Sequence, residues 1–170
     1  MKSIVVFESM FGNTERVARA IAEGLQRCGD VELVEVGDAD PALDFVDLLV
    51  VGGPTHAFGM SRESTRADAQ RQAGDSVLVS RHGGVREWAA QLAGVQAGAL
   101  ATFDTKAHKA RHLPGCARGL AKTLRRRGYT LAVPAESFLV EDVRGPLTDG
   151  ELARASRWGA ELGQRVVAAT

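Results

Sequence analysis

A run of small and polar residues near the N-terminus carries the hydrogen-bonding groups best suited to holding a ligand. Ser9, Asn13 and Thr14 can donate side-chain hydrogen bonds, and Gly12 lets the backbone approach a ligand closely. An amphipathic segment follows, and the backbone N–H groups at the start of a helix there would add further donors. The combination predicts an anion site. Because the run contains no Lys or Arg, a phosphate bound there would be held by neutral donors.

The flanking segments predict the strand and the helix that position this loop. Ile4 to Phe7 is a short β-branched run, which is typical of a strand buried on both faces. The apolar residues that follow recur at three- and four-residue intervals, as in an amphipathic helix: Val17, Ala18, Ile21, Ala22 and Leu25. An ordinary strand-to-helix turn, with Asn13 or Thr14 as the helix cap, is the simpler alternative.

The loop, which reads Ser-Met-Phe-Gly-Asn-Thr, resembles the phosphate loop of flavodoxin-like proteins. It looks most similar to the version in the flavodoxin modules of flavodiiron proteins. In that family the loop binds the terminal phosphate of FMN. The resemblance therefore implies that the phosphate-binding residues are Ser9, Met10, Phe11, Gly12, Asn13 and Thr14. Phe11 departs from the hydroxylated residue that is commoner at its position, which leaves one side-chain donor fewer.

A second candidate loop follows the predicted third strand, Leu48 to Val51. Two glycines and a proline give a rigid exit from this strand, at the end where open α/β sheets bind their ligands. An ordinary connection with Phe58 packed in the core is the alternative. The stretch resembles the flavin-contacting loop of flavodoxin-like quinone reductases. That resemblance implies that the following residues border the isoalloxazine ring: Pro54, Thr55, His56, Ala57, Phe58 and Gly59.

The third candidate loop differs from the family pattern. Gly98 to Thr105 predicts the fourth strand, and the resemblance implies that Asp104, Thr105 and His108 lie on the other side of the flavin. The expected loop is glycine-rich and acidic with an aromatic residue, whereas Lys106 to His112 is basic and contains no Phe, Tyr or Trp. We therefore expect these cations to favour the negative charge of fully reduced FMN, so that the second electron is easier to add than in acidic flavodoxins.

The basic character continues beyond this loop. Between Lys106 and Arg127 there are eight Lys or Arg residues and no acidic residue. A solvated helix face accounts for them most simply. The alternative is a basic rim beside the ligand site, which would suit an acidic partner or a phosphate-bearing nucleotide.

The remaining segments predict further elements. Val31 to Val36 is a second strand with partial exposure, as at a sheet edge, and Gly29 is expected to end the first helix in a left-handed cap. Ser61 or Ser64 is expected to cap a polar helix that runs to about Ala73.

The C-terminal half adds two helices and a strand around a core tryptophan. Val85 to Leu92 predicts a helix that places Trp88 in the core. The next helix, opened by Leu113-Pro114-Gly115, is expected to end at Gly128, and the strand after it to be broken at Pro134. Thr148 and Glu151 have the spacing of a capping box for a final helix.

The order of predicted elements is β-α-β-β-α-β-α-β-α, with a long excursion over residues 60–83. This order predicts an α/β fold, a three-layer doubly wound five-stranded parallel sheet. The flavodoxin-like strand order 2-1-3-4-5 brings the loops after strands one, three and four to one crevice. A length of 170 residues suits a single flavodoxin-like domain over residues 1–170.

Composition excludes several classes of partner. With 21 basic and 21 acidic residues, no overall field favours nucleic acid or an anionic membrane, so neither is expected as a partner. We expect a cytoplasmic protein, because no apolar run spans a bilayer and no signal peptide precedes the first strand. Cys28 and Cys116 are far apart in sequence and lack the CxxC spacing that is typical of metal or redox sites. His108 and His112 are four residues apart, but the nearby Pro114 disfavours a helix that would join them as metal ligands.

These observations predict an FMN-binding electron-transfer protein whose partner is a redox protein or a nicotinamide nucleotide. The cofactor does the redox chemistry, so no catalytic acid or base is expected. Two alternatives remain open: an FMN-dependent NAD(P)H:quinone-type reductase, and a flavin-free flavodoxin-like module for binding or regulation. The sequence does not indicate the oligomeric state.

Overall fold

The computed structural model describes residues 1–169, which form one parallel five-stranded sheet with helices on both faces. The strands lie in the order β2-β1-β3-β4-β5, so the predicted fold class and strand order are confirmed. The strands are β1 (Lys2–Phe7), β2 (Asp30–Glu35), β3 (Val46–Pro54), β4 (Ala97–Ala107) and β5 (Glu136–Val140). The helices are α1 (Asn13–Leu25), α2 (Glu63–Ala73), α3 (Val85–Gln91), α4 (Cys116–Arg126) and α5 (Glu151–Ala169), with short 3-10 turns at Gln26–Cys28 and His108–Ala110.

Two apolar layers sandwich the sheet, because successive side chains of a strand point to opposite faces. Val5 and Phe7 of β1 pack in the layer that contains the buried residues of α1 and α5. Ile4 and Val6 pack in the opposite layer, with the buried residues of α3 and α4. Trp88 lies in this second layer, as predicted, and its Nε1 donates to the Ala39 carbonyl oxygen at 3.0 Å.

Helix α2 stands apart from both layers. Its only buried residues are Ala69 and Ala73, and they join Met10 and Leu78 in a small separate cluster against Phe11. The polar composition of α2 therefore reflects its place at the edge of the molecule, where it covers the loop after β1 and not the sheet.

Two predicted helix caps, the left-handed cap at Gly29 and the serine cap of α2, are wrong. Helix α1 gives way to a 3-10 turn, and Gly29 has φ 145° and ψ −160°, outside the left-handed helical region. Arg62, and neither Ser61 nor Ser64, precedes α2, and its N–H donates to the Thr65 hydroxyl at 2.9 Å. In each case a contact with a distant residue overrides the local capping preference. Gly29 packs closely on the Met1 backbone, and the buried Ser61 hydroxyl donates to the Glu8 carboxylate.

The predicted capping box at the last helix is also wrong. Helix α5 begins at Glu151 itself, so this residue is not in the third helical position that the box requires. Its carboxylate instead accepts the Leu139 N–H at 2.6 Å and bonds to Arg154.

Both strands that flank the candidate site extend further than predicted. β3 continues through Gly52 and Gly53 to Pro54, and β4 continues to Ala107. The break in the fifth strand is confirmed: Leu131 forms an isolated bridge to Leu100, and regular pairing resumes at Glu136. No helix within residues 1–169 is long and apolar enough to cross a membrane.

Candidate functional site

The polar loop after β1 leads directly into α1. Gly12 is the residue before the helix, with φ +91°, and its N–H donates to the Ser9 hydroxyl at 3.1 Å. Asn13 and Thr14 are already helical, so neither is the cap that the simpler interpretation required. The first N–H groups of a helix have no intrahelical partner, and those of α1 are available to an anion at this end of the sheet.

A hydrogen bond joins this loop to the end of β4. The hydroxyls of Thr14 and Thr105 lie 2.7 Å apart, and both side chains are buried. The first and third candidate loops are therefore in direct contact, although 91 residues separate them in sequence. Parallel strands bring their carboxyl ends to one edge, and this bond fixes the relative position of two of those ends.

The carboxyl ends of the strands surround a cleft of about 320 Å³, a size typical of small-molecule sites. The predicted residues that line it are Ser9, Met10, Phe11, Asn13, Thr14, Pro54, Thr55, His56, Ala57 and Thr105. Five predicted residues are not among the lining residues: Gly12, Phe58, Gly59, Asp104 and His108. The structure thus brings together residues from all three predicted loops and leaves the outer part of two of them away from the cleft.

The second loop turns back in a tight hairpin at the cleft. The backbones of His56 and Gly59 exchange two hydrogen bonds, of 2.9 and 3.0 Å. Ala57 and Phe58 lie between them with φ values of 44° and 65°, a conformation unusual for residues other than glycine. Phe58 is 59% exposed, so the alternative that packed it in the core is wrong. Its side chain projects into solvent beside the cleft.

Two side chains of the second loop contact different helices: His56 lies near Arg66 of α2, and Thr55 contacts the start of α4. Burial, together with the nearby Arg66 guanidinium, lowers the pKa of His56, which favours the neutral imidazole. The Thr55 hydroxyl accepts the Cys116 N–H at 3.0 Å and so holds the first residue of α4 beside the second loop.

Asp104 faces α4, on the opposite side of the sheet from Thr105. One of its carboxylate oxygens accepts the Ala117 N–H at 2.9 Å. Burial raises the pKa of Asp104, while this hydrogen bond acts in the opposite direction. Asp104 therefore positions the start of α4 and does not line the cleft. His108 is exposed in the 3-10 turn beyond β4.

The basic stretch divides into a buried and an exposed part. Lys106 belongs to β4, is buried and lines the cleft, and its ammonium donates to the Leu113 carbonyl oxygen at 3.1 Å. Lys109 is exposed, with its ammonium 3.9 Å from an Asp142 carboxylate oxygen. Sequence reasoning placed Lys106 in a loop because the strand continues beyond its apolar run.

The cations of α4 lie along a separate, open groove of about 480 Å³, lined by Arg118, Lys122, Arg125 and Arg126 together with two alanines and no residue of the cleft. Among the residues that the structure describes, none of these four cations forms a salt bridge with an acidic side chain. The groove lacks the mixed polar and apolar lining typical of a small-molecule site, so the cleft is the better candidate.

One wall of the cleft was missed by sequence reasoning. It is built by α2, through Thr65, Asp68, Ala69 and Gln72, and by two residues at the end of β5 and beyond it, Val140 and Val143. The length of the excursion at residues 60–83 was a usable signal, because long connections in compact domains are usually functional.

A buried carboxylate anchors that wall. Glu8 is fully buried directly after β1 and accepts hydrogen bonds from the Ser61 hydroxyl at 2.5 Å and the Val85 N–H at 2.9 Å. Burial raises the pKa of Glu8, although both hydrogen bonds favour its charged form. Arg66 donates to the Ser61 hydroxyl at 2.8 Å and also bonds to Glu87 at 3.1 Å. The network connects β1, α2 and α3.

Residues 1–169 contain no group of three His, Cys, Asp or Glu side chains placed to share a metal ion. The composition of the loop after β1 suits an anionic organic ligand. Its hydroxyl and amide groups and the start of α1 all border the cleft.

Comparison with known proteins agrees with the fold. The flavodoxin family model matches residues 5–135. Among solved structures, a flavodoxin from the domain Archaea superposes with a TM-score of 0.67 at 22% identity, over 98% of this chain and 99% of the other. Oxidised flavodoxin 1 from Bacillus cereus superposes with a TM-score of 0.65 at 18% identity, over 96% of this chain and 98% of the other. A flavodoxin, WrbA-like protein from Agrobacterium tumefaciens gives 0.60 at 19% identity, over 99% of each chain. A search of curated proteins gave no match.

Proposed function

This chain belongs to the flavodoxin family, and from that premise we propose that it binds FMN in the cleft and transfers electrons. The observation that carries the proposal is the convergence of the loop before α1, the hairpin after β3 and the end of β4 on one cleft of about 320 Å³. The bound FMN would supply one- and two-electron chemistry, while the protein sets its orientation and exposure.

The lining residues suggest a division of roles. Ser9 to Thr14 and the N-terminus of α1 would hold the phosphate, because neutral donors and a helix start suit an anion. Pro54 to Ala57 would lie on one side of the ring and Thr105 to Ala107 on the other. Phe58, Gly59 and His108 would border the opening, and Asp104 would support the site through α4. The free thiols of Cys28 and Cys116 suit a reducing compartment such as the cytoplasm.

The absorption spectrum of the protein purified without added flavin tests the proposal. We expect a yellow protein with bound FMN, or a colourless one that takes up FMN on titration. A protein that neither contains nor binds FMN would support the flavin-free alternative instead.

The phosphate loop gives a more specific prediction. Thr14→Ala or Ser9→Ala should weaken FMN binding by about tenfold or more, because a hydrogen bond to a charged group contributes about 1.5–3 kcal/mol. Riboflavin, which lacks the phosphate, should be affected much less. Fluorescence titration with both ligands measures the difference.

Thr105→Ala is the matched control, because it breaks the Thr14–Thr105 hydrogen bond but keeps the hydroxyl of the loop. We expect it to change FMN and riboflavin binding by similar factors. Equal losses of both ligands in the Thr14 and Ser9 variants would show that this loop does not hold the phosphate.

A second candidate function, an FMN-dependent reductase of quinones or similar acceptors, is favoured by one observation. Lys106 places a buried cation in the cleft wall, and a nearby positive charge stabilises reduced, anionic FMN. Easy two-electron reduction suits a reductase more than a one-electron carrier. Rapid reduction of the bound flavin by NADPH alone would distinguish the reductase from the carrier.

Lys106→Gln should lower the second reduction potential of the bound flavin by an amount on the order of tens of millivolts, because a charge in the wall of a partly dry site is poorly screened. Lys109→Gln is the control: its ammonium is exposed and lies near Asp142, so we expect little change. Spectroelectrochemical titration at low salt measures both potentials. Unchanged potentials in the Lys106 variant would remove this support for the reductase.

A further inference from the structure

The segment after β5 crosses the loop that precedes α1. The Asn13 side-chain amide donates to the Arg144 carbonyl oxygen at 3.0 Å, across 131 residues of sequence. Gly145 follows with φ +97°, and a Cβ added there would lie 2.7 Å from the Asn13 side chain. A side chain at residue 145 would be strained at this φ and would displace the Asn13 amide, so Gly145 allows the close approach.

This contact brings a guanidinium to the loop. The Arg144 guanidinium carbon lies 5.3 Å from the centre of the Phe11 ring, and its Nη2 donates to the Gln72 carbonyl oxygen near the end of α2. Phe11, Asn13 and Gln72 all line the cleft, as does the neighbouring Val143. Arg144 itself is not a lining residue, but its contacts with Phe11, Asn13 and Gln72 place it at the rim of the cleft beside the loop.

The charge of Arg144 is not neutralised by an acidic side chain in the part of the chain that the structure describes. A guanidinium has five N–H donors, and the one side-chain hydrogen bond found for Arg144 goes to a neutral carbonyl. The other cations near the cleft are placed differently. Arg66 is paired with Glu87. Lys106, like Arg144, is bound to a neutral carbonyl, that of Leu113, but it is buried in β4 and far in the chain from the first loop.

We propose that Arg144 supplies the positive charge that the phosphate loop lacks, and so makes the cleft select a phosphorylated flavin over one without phosphate. The inference rests on the proposed function and adds a specificity-determining residue to it. A guanidinium fork matches the geometry of phosphate oxygens, and in the described part of the chain only one of its five donors has a hydrogen-bond partner. Phe11, which replaces a hydroxylated residue, gives the guanidinium an aromatic face to lie on.

Asp68 of α2 makes this charge more important. It also lines the cleft, and a carboxylate there repels an anionic ligand. Asp68 forms a salt bridge with Arg71 on the same helix, but both side chains are largely exposed, so this pair neutralises the repulsion only weakly. The Arg144 guanidinium is bound to Gln72, one turn further along the same helix, and its positive charge offsets the remainder.

Binding of FMN and riboflavin to the purified protein, with Arg144→Gln and Arg144→Lys, tests the proposal. In Arg144→Gln we expect FMN affinity to fall about tenfold or more, riboflavin affinity to stay the same, and the salt dependence of FMN binding to become weaker. Arg144→Lys keeps the charge but loses the planar fork of donors, so its FMN affinity should lie between those of the wild type and Arg144→Gln. Arg126→Gln, which removes an exposed cation from the α4 groove, should change neither ligand.

Equal changes for both ligands, or no change for FMN, would overturn the role of Arg144 while leaving FMN binding intact. A wild-type protein that binds neither ligand would instead overturn the proposed function, and this inference with it. The melting temperature of each variant without ligand checks that the fold is retained, and the exposed side chain of Arg144 predicts little change there.

Discussion

Replacing Glu8 with Ala should destabilise the protein by about 3 kcal/mol, because two buried donors lose their acceptor and a cavity forms. These donors are the Ser61 hydroxyl and the Val85 N–H, which start the α2 and α3 regions. Since Ser61 also accepts from Arg66, the substitution should loosen α2 from the cleft and weaken FMN binding as well. Urea unfolding and hydrogen exchange of residues 60–84 measure the two effects.

The partly exposed Glu15, which has no buried hydrogen-bond partner among the described residues, provides the control. It is paired with Arg19 one helical turn away, on the surface of α1, and Glu15→Ala should cost less than about 0.5 kcal/mol. A loss of similar size in both variants would show that the Glu8 network does not anchor α2.

The ionisation of Glu8 adds a dependence on pH. Burial raises the pKa of its carboxyl in the folded protein above the ordinary value, so folding favours the protonated form. This contribution to stability is fully present below the ordinary pKa and is lost as pH rises through the raised value. Glu8→Gln removes it. The free energy of unfolding of the wild type, relative to that of Glu8→Gln, should therefore fall from acidic to neutral pH. A difference that does not change with pH would contradict the raised pKa.

Gly24→Ala should cost about 3 kcal/mol or more, although alanine favours a helix by about 1 kcal/mol over glycine. A Cβ on Gly24 of α1 would lie 2.1 Å from the Ser156 carbonyl oxygen and 2.8 Å from the Ala160 nitrogen, both in the backbone of α5. Backbone atoms cannot turn aside as a side chain can. The two helices would have to separate, and the apolar layer between them and the sheet would open.

Gly119→Ala is the matched control within α4. The nearest atoms to an added Cβ there belong to the flexible Met60 side chain, at 3.4 Å and beyond. We expect this variant to be unchanged or more stable by up to about 1 kcal/mol. Urea unfolding of both variants measures their stability. A Gly24→Ala protein as stable as the wild type would contradict the close packing of α1 against α5.

The sequence by itself determined the elements and their arrangement. Runs such as Ile4 to Phe7 and Leu48 to Val51 are typical of buried strands, the spacing from Val17 to Leu25 is typical of an amphipathic helix, and the structure has each of these elements. Once the order of strands and helices is known, the rules for parallel sheets leave few arrangements. The same rules place the loops after β1, β3 and β4 at one edge, so most of the cleft-lining residues could be predicted.

Only the tertiary structure decided which side chains face the cleft and what closes it. Asp104 and Thr105 are adjacent, yet the pleat of β4 turns one toward α4 and the other toward Thr14. The wall formed by α2 and the cation at Arg144 depend on contacts between residues far apart in the chain, through Glu8 and Asn13. Local periodicity reports which face of an element is buried, but it carries no information on which distant loop will cover a polar surface.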